Sequence, residues 1–274
     1  MSPIALDALA ARVPDGALVA LAPDYALPAS ALTHALVRRG ARGLRLIGVP
    51  TSGYATDVLI GAGCVASVET SAASIGESGL APRFAAAVAT GAIEVIDATC
   101  PAIHTMLQAA EKGVPFMPLR GVLGSHLLEH RPDWKVIDNP FSDDKDPILL
   151  LPALAPDIAV FHALCGDAHG NVYVGRRREL ASMAHAARRS LVSVERMVEG
   201  NMLEDERLAP GCIAGVYIEA LAVVERGAWP LGALDAYPLD FAHLAEYARS
   251  ARTEDGFQAY LARYVRTPRV AAAE

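Results

Sequence analysis

Short runs of aliphatic and β-branched residues alternate with alanine-rich stretches of helical period along the chain, starting near residue 17. The alternation continues for about 200 residues, the pattern of an α/β domain with a mainly parallel sheet. Strands are expected over 17–21, 44–49, 65–68, 93–96, 148–151, 190–194 and 213–224. Between the first two, Leu32, Ala35 and Leu36 recur at i, i+3, i+4, with Pro28 ahead and Gly40 behind, so 28–39 predicts a helix with a start and a stop. Helices are also expected over 82–90 and 102–112. Two amphipathic ones, 240–249 and 254–265, close the chain. In these, Phe241, Leu244 and Tyr247, then Phe257, Tyr260, Leu261 and Tyr264, are spaced as packing anchors. Residues 270–274 lack a packing pattern and are expected to fray. The polar stretch 138–147, with Asp143, Asp144, Lys145 and Asp146, reads as an exposed turn, since an apolar run resumes directly after it.

The segment 152–174 is the most informative. Residues 158–163 form a nearly unbroken apolar run interrupted by His162, which suits a strand covered on both faces. Asp167, Gly170 and Asn171 then supply turn chemistry before a second short strand.

At 274 residues and 53% hydrophobic content, the chain is long enough for a sizeable core, and residues 1–274 are read as one domain. The net charge of -7 gives no basic face for nucleic acid. Cys64, Cys100, Cys165 and Cys212 are scattered with no CxxC pair, so no zinc site is expected. Asp7, Arg12 and Asp15 break the first apolar stretches, which argues against a secretory signal. No run approaches the roughly 20 apolar residues of a membrane span. A cytoplasmic protein without membrane attachment is the expectation.

In open α/β sheets, ligands bind beyond the carboxyl ends of the strands. That rule selects four loops: 22–28, 50–54, 71–79 and 97–101. Within the second, Thr51, Ser52 and Gly53 are candidate binding residues. In the third, Ser74, Gly76, Ser78 and Gly79 offer hydroxyls and close backbone approach around Glu77, the loop's one charge. Glu77 is read either as a nucleophile, acid or base, or as a residue that orients backbone ahead of the helix at Pro82. Gly61-Ala62-Gly63-Cys64-Val65-Ala66 fits a dinucleotide fingerprint but leads into a strand, so no dinucleotide site is expected. Arg176, Arg177 and Arg178 are either phosphate ligands or a solvated helix start. His162 reads as a satisfied core histidine. His126 and His130 have no partners at metal-ligand spacing.

Pro152, Ala153, Leu154, Pro156, Asp157, Ala159, His162, Asp167, Gly170 and Asn171, in that spacing, resemble the alpha half of family I coenzyme A transferases, the group that includes glutaconate and 3-oxoacid CoA-transferases. Pro14-Asp15-Gly16-Ala17, residues 113–118, Asn139-Pro140-Phe141 and Val192-Ser193-Val194-Glu195 extend the resemblance in order over roughly residues 5–265. It implies a CoA-transferase-like open, mainly parallel sheet with helices on both faces. It further implies a homologous beta subunit carrying the nucleophilic glutamate, an acyl-CoA and a carboxylic acid as substrates, and no cofactor beyond the coenzyme A thioester. Glu77-Ser78-Gly79-Leu80-Ala81-Pro82 matches the alpha-half context, so Glu77 is expected to be polar support, not the attacking group. Two departures stand out. Alpha halves carry a Gly-rich loop after the first strand whose N–H groups hold the thioester oxygen. Here Pro23 lacks an N–H and Asp24, followed by Tyr25, brings a carboxylate. The stretch 97–101 lacks the acid that related CoA hydrolases place there, which counts against hydrolysis unless Asp97 substitutes. The readings that compete with transfer are a CoA-thioester hydrolase of the same fold and a non-catalytic CoA- or phosphosugar-binding protein.

Overall fold

The computed structural model describes residues 1–234 and 236–267; residues 270–274, read above as frayed, lie outside that range. Its centre is a seven-stranded parallel sheet of β1 (Leu18–Leu21), β2 (Leu44–Gly48), β3 (Val65–Thr70), β4 (Glu94–Asp97), β8 (Ile158–Ala163), β11 (Ser190–Val194) and β14 (Ile218–Val223). The spatial order is β14-β11-β8-β1-β2-β3-β4. From β1 the chain therefore winds to one edge, then returns at β8 and winds to the other. The crevice between the carboxyl ends of β1 and β8 is a topological switch point.

Strand β8 is buried at all six positions, as its apolar run requires. Alternation divides its side chains: Ile158 and Val160 join one core, Ala159, Phe161 and Ala163 the other. The first core takes in α1 (Leu6–Ala11), α2 (Ser30–Arg39) and parts of α3 (Tyr54–Gly61) and α4 (Pro82–Thr90). The second is closed by α5 (Cys100–Glu111) and α6 (Arg178–Ala186). Helices thus cover both faces of the sheet. A third cluster packs Tyr54 and Val58 of α3 against α7 (Phe241–Ser250) and α8 (Glu254–Tyr260), whose last turn continues as a π-helix over Leu261–Val265.

Several local expectations change. Helix α2 begins at Ser30, two residues beyond the expected start, and Gly40 ends it with φ 73°, a left-handed stop that suits glycine. Helices α1 and α3 add to those expected. Helix α3 is buried at its first seven positions and so carries no polar face for periodicity to detect. The strand expected over 213–224 is two: Ile213 ends β13 (Cys212–Ile213), and Gly215–Tyr217 form a 3-10 turn before β14. The main sheet has two small companions. One is a four-stranded sheet of β9 (Cys165–Asp167), β10 (Val172–Tyr173), β12 (Met197–Val198) and β13; the other is an antiparallel sheet of β5 (Phe116–Leu119), β6 (Lys135–Asp138) and β7 (Pro147–Pro152). The polar stretch 138–147 is the exposed β6–β7 turn. Gly61 ends α3 and Val65 opens β3, the reverse of the strand-to-helix order a dinucleotide fingerprint needs. Among the described residues no helix is long and apolar enough to cross a membrane.

Candidate functional site

The loops after β1, β2, β3 and β4 are tied together by backbone and hydroxyl contacts. Ser52 N–H donates to Ala72 O at 2.8 Å and Ser74 N–H to Ser52 O at 3.1 Å, so the second loop lies along the third. Ser71 Oγ donates to Pro50 O at 2.8 Å and sits 3.1 Å from Cys100 Sγ. Cys100 opens α5, which Thr99 caps by accepting from Ala102 N–H at 3.3 Å. The fourth loop is held from beneath by Arg131, which donates to Asp97 O at 2.9 Å and pairs with Glu69 at 2.8 Å and Asp133 at 2.9 Å. Burial raises the Glu69 pKa and the Arg131 charge opposes that shift.

Of the sequence-predicted residues, Ser52 and Gly53 are buried and Thr51 is half-buried. Ser74, Gly76, Glu77 and Gly79 are exposed, and Ser78 is half-buried. Gly76–Ser78 form a 3-10 turn whose base is pinned where Ile75 N–H donates to Gly79 O at 2.8 Å. Leu80, 78% exposed, follows it. Helix α4 begins at Pro82 without a side-chain cap, so Glu77 does not serve as one. The Ser74–Gly79 loop and the Thr51–Gly53 loop are thus neighbours, with the acid on the outer side.

Asp24 occupies an unexpected position. Its two carboxyl oxygens each lie 3.1 Å from Tyr54 N, the first backbone amide of α3. Gly53 makes this approach possible, because a Cβ there would fall 2.2 Å from Asp24 Cγ. Burial pushes the Asp24 carboxyl up to about 7; the Tyr54 N–H opposes the shift and the nearby Asp57 adds to it. Asp57, fully buried on α3, accepts from Tyr247 OH at 2.6 Å, Phe84 N–H at 2.7 Å and Arg83 N–H at 3.3 Å, yet burial still raises its pKa. The Tyr54 hydroxyl is 2.8 Å from both His34 Nε2 and Tyr260 OH, and His243 Nε2 is 2.7 Å from the same Tyr260 hydroxyl. Tyr25 is exposed, with the Arg177 guanidinium 6.0 Å from its ring centre. Arg178 is the first residue of α6, which matches the helix-start reading of the arginine run.

The raised Asp24 pKa has a stability consequence of fixed sign. Below the ordinary value of 3.8 both folded and unfolded states are protonated. Between there and about 7 the folded chain keeps a proton that the unfolded chain has released, so stability falls as pH rises through that window. Asp24→Asn is therefore expected to match the wild-type thermal midpoint near pH 4 and exceed it at pH 8. A difference that stays constant with pH would refute the assignment.

Sequence reasoning missed a second polar cluster as a unit. His162, at the end of β8, is fully buried, with Nδ1 2.8 Å from Ser193 Oγ and Nε2 2.7 Å from Glu195 Oε1. Glu195 also accepts from Tyr237 OH and Arg226 N–H, each at 2.7 Å. His162 is thus the satisfied core histidine expected. Glu195 and Tyr237 line a cleft of about 720 Å³ with Cys165, Arg196, Glu199 and Asp205. None of Thr51 to Gly53 or Ser74 to Gly79 reaches it. Nearby, Asp167 accepts from His169 N–H, Asn171 N–H, Asn171 Nδ2 and Met202 N–H at 2.8–3.0 Å. Burial works against its charge, but those donors hold its pKa below the usual value. Gly170, at φ 87°, completes the turn. Among the described residues no group of three metal-ligating side chains converges.

Residues 4–220 match the family described as coenzyme A transferase. A relative in Archaeoglobus fulgidus, an uncharacterized protein, is 33% identical over 85% of this chain; the chain spans about half, 52%, of that relative's length. The alpha-type subunit of the 3-oxoadipate CoA-transferase of Pseudomonas knackmussii is 30% identical, covering 93% of this chain and 89% of its own. Glutaconate coenzyme A-transferase from Acidaminococcus fermentans superposes with a TM-score of 0.89 at 26% identity, over 97% of this chain and 89% of that one.

Proposed function

The chain belongs to the coenzyme A transferase family, and from that premise we propose that it is the alpha half of a heteromeric enzyme moving coenzyme A from an acyl-CoA to a carboxylic acid. A homologous beta subunit supplies the attacking glutamate. Its carboxylate adds to the thioester carbonyl and expels the coenzyme A thiolate, leaving an acyl-glutamyl anhydride. The thiolate then attacks the glutamyl carbonyl and releases the first acid. The acceptor acid, entering as carboxylate, reverses the sequence and leaves as its own CoA thioester. Covalent catalysis divides one difficult exchange into easier steps and calls for no cofactor besides the thioester. The acyl and pantetheine portions lie along Thr51 to Gly53 and Ser74 to Gly79, with Glu77 as polar support. The cytoplasm, where acyl-CoA and carboxylic acids meet, is the compartment this reading assigns.

The observation that carries the reading is the openness of the loop cluster. Glu77 and Leu80 stand exposed beside the buried Ser52 and Gly53, in a half-groove that needs a second surface to exclude water. The enclosed cleft beside Glu195 lies elsewhere and contains none of these residues.

Coexpression with a beta-type chain, incubation with an acyl-CoA and mass spectrometry of the trapped protein test this. The expected result is a glutamyl-CoA adduct on the beta chain, with Glu77→Gln retaining kcat/KM to within roughly tenfold, the scale of a polar contact. An adduct on Glu77, or full transfer by this chain alone, overturns it. Release of free coenzyme A without any acceptor acid would identify a hydrolase instead.

A further inference from the structure

We propose that Asp24 is a catalytic residue that works as a carboxylic acid, donating a hydrogen bond from its protonated carboxyl to the thioester carbonyl oxygen while negative charge builds there. The inference rests on the transferase reading above and specifies how this half of the site handles that charge.

The loop after β1 has few backbone donors to offer. Pro23 has no N–H, Ala22 N–H points to Val160 O at 3.4 Å, and Ala26 N–H is spent on Pro23 O at 2.9 Å. The polar group this loop presents at the β1–β8 crevice is the Asp24 side chain. It is not fully enclosed, since Asp24 is half-buried, and it rests on the Gly53 backbone among the candidate binding residues.

An ionised carboxylate at that place would oppose a developing oxyanion; a neutral carboxyl would stabilise it. The surroundings favour the neutral form. Among the described residues Asp24 has one hydrogen-bond donor, the Tyr54 N–H, and no cation pairs with it. Asp146, by contrast, is paired with Arg120 and bonded by Asn139 Nδ2, and Asp167 has four donors. The groups around Asp24 also discourage charge. Asp57 faces it from α3 with like sign. Tyr54, on the same helix, turns its hydroxyl to His34 of α2 and Tyr260 of α8. Tyr25, on Asp24's own loop, is a neutral phenol beside Arg177. Arg83, at the start of α4, pairs with Glu254. A pKa of about 7 agrees with this setting. One oxygen can accept from Tyr54 N–H while the other, protonated, donates outward. The proton stays on Asp24 through addition and collapse, so the step needs no further reactant.

Transfer kinetics of the chain coexpressed with its partner, from pH 5.5 to 9, test the role in wild type, Asp24→Asn and Asp24→Ala. The wild type is expected to lose kcat/KM as pH rises through about 7, approaching tenfold per unit beyond it. Asn keeps an N–H donor that does not titrate, so Asp24→Asn should stay within roughly tenfold of wild type at pH 6 and lose that decline. Asp24→Ala should fall on the order of 100-fold at pH 6, the scale for losing one oxyanion donor. Persistence of the same decline in Asp24→Asn, or wild-type rates in Asp24→Ala, overturns the donor role alone. A wild type that transfers no coenzyme A overturns the transferase reading and the donor role with it. The pH-dependent thermal midpoint of Asp24→Asn provides a check independent of turnover: no gain at pH 8 means that Asp24 is ionised at neutral pH, which also ends the proposal.

Discussion

Replacing Gly53 with alanine is expected to lower kcat/KM for coenzyme A transfer on the order of 100-fold, because a shift of about 1 Å in a positioning group is enough for that loss. The Gly53 backbone is ordinary, with φ -141°, so conformational strain is not the reason. The reason is space. An alanine Cβ would lie 2.2 Å from Asp24 Cγ and 2.2–2.3 Å from its carboxyl oxygens, distances no pair of non-bonded atoms tolerates. Either the loop after β1 or the start of α3 must retreat, and both belong to the candidate site. The cost in folding free energy should stay within about 1–3 kcal/mol, the usual range for overpacking. Activity should therefore fall well before the fold does. A second substitution, Asp24→Gly, removes the clash, and the two changes are expected to be strongly non-additive in stability. If Gly53→Ala keeps activity within threefold of wild type, the Asp24 carboxyl is not held where the chemistry occurs.

Asp57→Ala should be the most damaging single change to stability near the site, at about 3–5 kcal/mol, from stranding buried donors that cost about 1–3 kcal/mol each. The Tyr247 hydroxyl, on a side chain with no exposed surface, and the Phe84 N–H would both lose their acceptor. For a chain of this length that corresponds to a drop of roughly 10 °C or more in thermal midpoint. Asp57→Asn keeps the shape and one acceptor oxygen. Because burial already raises the Asp57 pKa, removing the charge relieves a penalty while weakening the bonds, so the asparagine variant should lose much less. Thermal or denaturant unfolding of the two variants at pH 8 decides the matter. An alanine variant within about 1 kcal/mol of wild type, against the same scale, would show that water or rearrangement satisfies those donors.

What could be read from the sequence follows from how local each signal is. Strand β8 is plain in the chain because both of its faces meet core, which leaves a continuous apolar run. The turn at Asp167, Gly170 and Asn171 is legible because its hydrogen bonds close within four residues. Helix α3 is not, since its side chains are buried nearly all round and periodicity needs a wet face. The Glu69–Arg131 pair joins positions far apart in the chain, and no local pattern marks either as a partner. Asp24 is the instructive case. In isolation it reads as a misplaced negative charge; only the contact with Gly53 and Tyr54, some thirty residues on, and the nearness of Asp57 alter its protonation. Thr51 to Gly53 and Ser74 to Gly79 follow from the rule for strand ends, and the structure does bring those two loops side by side.

The polar anchors of α3 are answered from the far end of the chain. The Tyr54 hydroxyl meets Tyr260 across 206 positions, and the Asp57 carboxyl meets Tyr247 across 190. These partners lie beyond residue 220, where the family match stops. During synthesis the sheet can form while α7 and α8 are still within the ribosome, but the helix that seats Gly53 and Asp24 waits for them. The nascent protein therefore acquires its architecture first and its chemistry last, which keeps an unfinished chain from engaging thioesters it could not yet process.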